Sequence, residues 1–148
     1  MPGVDADVTA DGGLAGVGFD EGWRSAVDAV VAATVDADAD AAGSGHRPGR
    51  VVRTHRVGFD VMTPRGREFV VHRARSRDPL TAPATGDWVV VADLADLDEP
   101  VIAEVLPRRT ALVRRDPADR AAPQVLAANA DVVAVVQGAD RPVNARRL

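Results

Sequence analysis

The sequence predicts a mainly β protein in which a small barrel of five strands follows a short helix and precedes an apolar strand of a second, α/β domain. Three observations indicate this fold. Five short β-rich segments, separated by turn-forming residues, lie within about 60 residues. The segment before them has apolar residues at helical spacing. A later segment is apolar without alternation, as in a strand that is covered on both faces.

Residues 1–45 form the first predicted unit, an acidic leader with a short helix and a flexible linker. Residues 1–12 are small and acidic with little to bury, which is typical of disorder. Asp20 is placed to cap a helix whose apolar residues recur at helical spacing. These residues are Trp23, Val27, Val30, Val31 and Thr34. The Asp-, Ala- and Gly-rich segment 36–45 predicts the linker.

Residues 46–107 form the second predicted unit, the barrel domain. Gly58 and the Pro- and Gly-containing segments 63–66 and 78–86 separate its strands. The predicted strands are 50–57, 59–63, 68–73, 87–92 and 101–106. Five short strands suit a small closed or nearly closed barrel, of which the OB-fold is the commonest kind. Trp88 follows a Gly-Asp pair at a strand start and is predicted to lie in the core.

Residues 108–148 form the third predicted unit, a linker and the start of another domain. Residues 123–129 predict one short helical turn. Residues 131–136 are a continuous apolar run, which is typical of a strand buried on both faces of an α/β sheet. Because only a dozen residues follow this run, the second domain is expected to be truncated in this chain.

The net charge of −4 conceals a strong asymmetry along the chain. Residues 1–45 hold nine acidic side chains and one arginine, whereas residues 46–77 hold nine arginines and two acidic side chains. Such a basic segment favours a polyanionic partner, most often nucleic acid. The alternative is that arginine occupies an ordinary solvated surface in place of lysine, which the chain lacks.

Exposed arginines of the barrel and the following linker are the candidate RNA contacts, because the planar guanidinium group matches phosphate oxygens bidentately. The candidates are Arg50, Arg53, Arg56, Arg65, Arg67, Arg73, Arg75, Arg108 and Arg109. Aromatic residues are scarce, and Phe59, Phe69 and Trp88 are predicted in the core. The sequence therefore predicts recognition of RNA shape and backbone over capture of a single strand.

Catalytic and metal sites are not indicated by these residues. The absence of cysteine excludes disulfides, thiolate nucleophiles and cysteine-based zinc sites within the sequence. The absence of lysine excludes the phosphate loop GxxxxGK[ST] and the guanine-reading NKxD motif. The three histidines lie at no ligand spacing. We expect no cofactor in this chain, no membrane partner, and a cytoplasmic monomer.

Several segments together resemble the family of ribosome small-subunit-dependent GTPases known as RsgA, YjeQ or EngC. In order, they are LAGVGFDEGW, PGRVVRTHRVGFDVMTPRG, PATGDWVVV, VIAEVLPRRTALVRR and QVLAANADVVAVVQGADRPVNARRL. The resemblance implies an N-terminal OB-fold, then a circularly permuted GTPase domain that opens at the strand 131–136, and a small zinc-binding domain.

The resemblance also implies a function for the full-length protein. It is expected to bind the 30S subunit and its 16S rRNA late in maturation and to hydrolyse GTP, with GTP, Mg and a structural Zn as ligands. The family's nucleotide-binding motifs and zinc ligands lie beyond the position that Leu148 matches. This chain is therefore expected to be the RNA-docking fragment, inactive as an enzyme alone. The alternative is a stand-alone OB-fold RNA-binding protein without enzymatic activity.

Overall fold

A computed structural model describes residues 13–37, 45–72, 80–114 and 123–136. Within these ranges the chain forms a short 3-10 helix, Leu14–Val17, one α-helix and seven strands. They are α1 Glu21–Ala37, β1 Arg47–Thr54, β2 Phe59–Thr63, β3 Gly66–Val70, β4 Trp88–Ala92, β5 Val101–Val105, β6 Ala111–Arg114 and β7 Gln124–Ala128. No helix in these ranges is long and apolar enough to cross a membrane.

Strands β1 to β5 form one antiparallel sheet in the order β3-β2-β1-β4-β5. Its two edges meet at one parallel bridge between Val71 and Val101. There the Val71 amide donates to the Pro100 carbonyl (3.0 Å) and the Ile102 amide donates to the Val71 carbonyl (2.8 Å). One bridge is not a continuous ladder, so the sheet is a partly open barrel. The predicted mainly β class is confirmed, with an OB-like sheet.

Two apolar cores lie on opposite faces of this sheet. The core inside the barrel contains Val51, Val61, Val70, Val89, Val91 and Ile102. The core between the sheet and α1 contains Leu14, Phe19, Trp23, Val27, Trp88, Val90 and Leu106. Successive residues of a strand point to opposite faces, so β4 contributes to both cores in alternation and is buried at all five positions.

Helix α1 begins at Glu21, directly after Asp20, the residue that the sequence predicted as its cap. The Trp23 amide donates to Asp20 Oδ1 (3.0 Å), which satisfies one of the free amides of the first turn. The Trp23 ring lies 5.9 Å from the Trp88 ring, and Trp88 is 1% exposed, so its predicted core position is confirmed. The predicted disordered leader 1–12 and most of the predicted linker lie outside the described residues, as does the side chain of Thr34.

The tail of the chain differs from its prediction. The helical turn predicted at 123–129 was wrong, because Gln124–Ala128 is a strand that pairs antiparallel with β6. We call this two-stranded sheet the ribbon. The apolar run 131–136 forms no strand with the residues that the structure describes, and it is exposed, with Val132 85% and Val136 91% accessible.

Gly86 lies where the ribbon contacts the barrel. The Ala128 amide donates to the Thr85 carbonyl (2.9 Å), and Asn129 Nδ2 donates to the Gly86 carbonyl (3.1 Å). Gly86 has a φ of 95°, and a Cβ atom at this position would overlap the Ala128 carbonyl oxygen. The backbones of ribbon and barrel therefore touch here, and a side chain would separate them.

We expect Gly86→Ala to destabilise the protein more than Gly66→Ala. Both glycines have positive φ, 95° and 104°, so alanine at either position adds backbone strain of about 1 kcal/mol. Only at position 86 does the new methyl group also meet backbone atoms, whereas nothing lies within 4 Å at position 66. Chemical denaturation should show losses of about 1 kcal/mol for Gly66→Ala and about 3 kcal/mol for Gly86→Ala. Equal losses would contradict the close contact between ribbon and barrel.

Candidate nucleic-acid interface

The structure separates the predicted RNA-contacting arginines by what their guanidinium groups touch. Arg73 and Arg75 lie outside the described residues. Three of the other seven join parts of the fold, two pair with carboxylates at the surface, and the guanidinium groups of the last two form neither a hydrogen bond nor an ion pair with any described residue. In that order they are Arg108, Arg109 and Arg50, then Arg65 and Arg67, then Arg53 and Arg56.

Arg108 holds the segment after β5 against the start of β4. Asp87 is fully buried and accepts hydrogen bonds from Arg108 Nε and Nη2, both at 2.7 Å. Arg108 Nη2 also donates to the Ala82 carbonyl (2.7 Å), and the Ala84 amide donates to Asp87 Oδ2 (2.8 Å). Hydrogen bonding to Asp87 raises the pKa of the Arg108 guanidinium. The Arg108 guanidinium group is therefore occupied by partners within this chain.

Arg109 joins the same segment to α1. Its Nη1 and Nη2 donate to the two oxygens of Asp20, at 2.5 and 2.7 Å, and its guanidinium lies 4.2 Å from the centre of the Trp23 ring. The hydrogen bond from Arg109 lowers the pKa of Asp20 to about 2. Asp20 thus both caps α1 and anchors the segment that leaves the barrel.

Arg50 connects β1 with the ribbon and with the 3-10 helix. It donates to the Asn129 carbonyl (3.2 Å) and to the Val17 carbonyl, and its guanidinium lies 5.4 Å from the Trp88 ring centre. Asn129 has a φ of 53°, and its side-chain oxygen accepts the Arg109 amide (2.8 Å). Through these contacts Arg50 holds the 3-10 helix and the end of the ribbon against β1.

Arg65, at the β2–β3 turn, belongs to a compensated charge network that also includes the buried Arg47 of β1. Arg65 Nη1 donates to Asp93 Oδ2 (2.8 Å), and Arg47 Nη1 donates to Asp93 Oδ1 (2.8 Å). Arg47, which is 6% exposed, also binds Glu68 through Nε (2.8 Å) and Nη2 (2.7 Å). Two arginines meet two carboxylates in this network. The network therefore attracts a polyanion less strongly than the number of its arginines alone suggests.

The outer face of β2 and β3 lies beside the part of the sheet that α1 covers. Arg53 and Phe69 each lie directly across from Asp60 on neighbouring strands, so all three side chains point to the same side. The predicted core position of Phe69 was wrong, because its side chain is 41% exposed. Asp60 pairs with Arg67, and His55 Nε2 lies 3.0 Å from Asp60 Oδ2.

The alternation of side chains along β3 indicates that Phe69 points outward. Phe69 lies two residues after Arg67, which is exposed, whereas Glu68 and Val70 point to the other face. An aromatic residue that shares parity with an arginine on a short edge strand is placed outward. The shared face of Phe69 and Arg67 predicts the exposed ring, whereas the hydrophobicity of phenylalanine alone predicts a buried one.

The turn 55–58 between β1 and β2 borders the same surface. Arg56 and Val57 are exposed, the latter by 76%. We call the surface formed by Arg53, Arg56, Asp60, Arg67 and Phe69 the open face. In OB-folds the face of strands 2 and 3, the loop between strands 1 and 2 and the loop between strands 4 and 5 are the usual nucleic-acid-binding regions. The open face is therefore the candidate interface.

The loop between β4 and β5 has the opposite charge. Residues 93–99 contain Asp93, Asp96, Asp98 and Glu99 and no basic residue. Among the described residues, no group of three His, Cys, Asp or Glu side chains is arranged to hold a metal ion. A polyanion would be repelled by this loop and attracted by Arg53 and Arg56, which restricts contact to the side of the barrel that carries the turn 55–58.

Comparison with known proteins gives several relatives that share one name. No family model matches the chain. It is 40% identical over 129 residues to the small ribosomal subunit biogenesis GTPase RsgA of Streptomyces coelicolor, which covers 82% of this chain and 31% of the relative. The proteins of the same name in Opitutus terrae and Streptomyces avermitilis are 38% identical over 117 residues and 39% identical over 92 residues. These matches cover 68% and 59% of this chain, and 31% and 23% of the relatives.

The matched part is the N-terminal part of these relatives. The chain spans less than a third of the length of the curated relatives named above.

We expect Arg108→Ala to destabilise the protein by about 3–5 kcal/mol, because it leaves the Asp87 carboxylate buried without its partner. The matched control is Arg53→Ala, which removes an exposed guanidinium that pairs with no described residue and should change stability by less than about 0.5 kcal/mol. Denaturant unfolding of both variants measures the difference. Similar values for the two variants would show that the ion pair does not hold the fold together.

Proposed function

We propose that this chain is the RNA-docking module of a small ribosomal subunit biogenesis GTPase. It belongs to the RsgA family of these proteins and represents their N-terminal part. The name of these relatives supports the small ribosomal subunit as the target. The structural observation that carries the proposal is the open face, where Arg53 and Arg56 are exposed and pair with no described carboxylate.

Ribosomal RNA suits this surface because its dense phosphate charge attracts uncompensated guanidinium groups. Arg53 and Arg56 need not give up a partner among the described residues in order to bind phosphate. Arg67 must first break its ion pair with Asp60, so its binding to a phosphate costs more free energy. We therefore assign the principal backbone contacts with 16S rRNA to Arg53 and Arg56, and a secondary contact to Arg67.

GTP hydrolysis by the whole protein is part of the same proposal, and we assign it to residues outside this chain. The sequence contains no lysine, so it has neither the phosphate-loop lysine nor the guanine-reading NKxD motif. GTP, Mg and the structural Zn would accordingly be held by the remainder of the protein. We propose that the whole protein acts as a cytoplasmic monomer.

We expect Arg53→Ala and Arg56→Ala each to weaken co-sedimentation of the chain with 30S subunits. Each loss of one phosphate contact should also reduce the slope of log affinity against log salt by about 0.7–0.9. The matched control is Arg114→Ala, because Arg114 is also exposed and forms no ion pair with any described residue, but it lies on the ribbon. Its affinity should stay close to that of the wild type.

Two results would count against this interface. Equal losses for Arg114→Ala and Arg56→Ala would indicate a diffuse effect of net charge without a defined face. Binding that is insensitive to salt would indicate that a ribosomal protein, and not phosphate, is the partner.

We expect the purified chain 1–148 to show no saturable binding of a fluorescent guanine nucleotide. The physical reason is the absence of the lysine-bearing loop that holds the β- and γ-phosphates. Fluorescence anisotropy, titrated to millimolar protein with Mg present, measures this directly. A longer RsgA relative serves as the positive control, and saturable binding by the chain alone would contradict the assignment of GTP to the remainder.

A further inference from the structure

We propose that the open face binds an unpaired nucleotide of RNA, with the base stacked on Phe69 and the adjacent phosphates held by Arg53 and Arg56. This inference rests on the proposed function and deepens it, because it names single-stranded RNA as the ligand. It also departs from the expectation of backbone-only recognition, which depended on a buried Phe69.

The Phe69 ring is exposed and yet fixed in position. A Cβ atom on Gly58 would lie 2.5 Å from Phe69 Cζ and 3.0 Å from Cε1, so the ring packs directly on the glycine backbone of the turn. The His55 ring supports it from the side, with ring centres 5.9 Å apart and planes at 56°. A ring held this way offers a preorganised surface, because little side-chain freedom is lost when a base stacks on it.

The charges around Phe69 are arranged for a phosphate. Arg53 lies across from Asp60, and Asp60 lies across from Phe69, so two strand spacings of about 4.8 Å separate the main chains of Arg53 and Phe69. The two residues are therefore placed for one nucleotide to contact both, with its base on the ring and its phosphate on the arginine. The intervening carboxylate of Asp60 is already neutralised by Arg67 and contacted by His55. Repulsion between Asp60 and a phosphate is therefore reduced.

The apolar part of the surface distinguishes a single strand from a duplex. Phe69 and Val57 together expose an aromatic ring and a branched side chain beside two arginines. In an RNA duplex the base faces are stacked on one another, and only phosphates, riboses and base edges are accessible. An unpaired base presents its face, and stacking on an aromatic side chain is the usual way that OB-like surfaces hold it.

The experiment uses the whole chain and an introduced fluorescent reporter. Trp23 and Trp88 are 5% and 1% exposed, so Phe69→Trp places the most accessible indole at the proposed stacking position. The probes are a 12-nucleotide oligoadenylate, the same strand in a duplex with its complement, and an abasic oligomer of the same length. The single strand should quench the emission of Phe69→Trp and bind more tightly than either other probe.

The decisive comparison is between Phe69→Leu and Arg53→Ala. Phe69→Leu keeps an apolar side chain over Gly58 but removes the ring, and it should weaken binding of the single strand about tenfold without changing binding of the abasic oligomer. Arg53→Ala should weaken binding of both. Thermal unfolding of Phe69→Leu close to that of the wild type would confirm that the loss concerns binding and not folding.

The outcomes separate this inference from the proposed function. If Phe69→Leu binds the single strand as tightly as the wild type does, or if the duplex binds equally well, stacking on Phe69 is overturned. In either case, the docking function is still supported if RNA binding depends on salt and Arg53→Ala weakens it. If none of the RNA probes binds and 30S co-sedimentation also fails, the proposed function itself is wrong.

Discussion

The buried ion pair between Asp87 and Arg108 is the interaction on which the rest of the structure depends. Asp87 has no exposed surface, and a carboxylate in such a position is costly unless it is paired and fully hydrogen-bonded. Its partner comes from the segment after β5, so the chain that leaves the barrel must pass the point where β4 begins. This fixes the path of the next residue, Arg109, over the Trp23 ring at the start of α1.

This path decides which surface of the barrel remains available. Arg109 and Asp20 anchor α1, whose apolar side packs on the outer side of β4 around Trp88. Asn129 and Gly86 anchor the ribbon beside it. Both additions occupy the β1–β4 side, so no described residue covers the part of the outer face of β2 and β3 that carries Arg67 and Phe69. The candidate interface thus follows from where the other elements are attached, as well as from its own residues.

Patterns within short segments predicted well the elements whose formation is local. The spacing of Trp23 and Val27, with Asp20 before them, identified α1, and the turn residues placed the five barrel strands within a few residues. The segment 124–128 was mistaken for a helical turn because Gln, Leu and Ala favour helix. Pairing with β6 outweighs that intrinsic preference, as tertiary contacts commonly do for short strands.

The roles of the arginines could not be predicted in the same way, because their partners are distant in the sequence. Arg108 pairs with an acid 21 residues away, and Arg109 pairs with one 89 residues away. The pair of arginines in the sequence LPRR looks like a basic patch, yet both side chains are neutralised by acids of this same chain. Basic composition alone therefore overstates the anion-binding surface. An arginine contributes fully to such a surface only where the fold brings no hydrogen-bond or ion-pair partner to its guanidinium group. Among the predicted arginines that the structure describes, this condition selects Arg53 and Arg56 beside the exposed ring of Phe69, because Arg50 is held by the Val17 and Asn129 carbonyls.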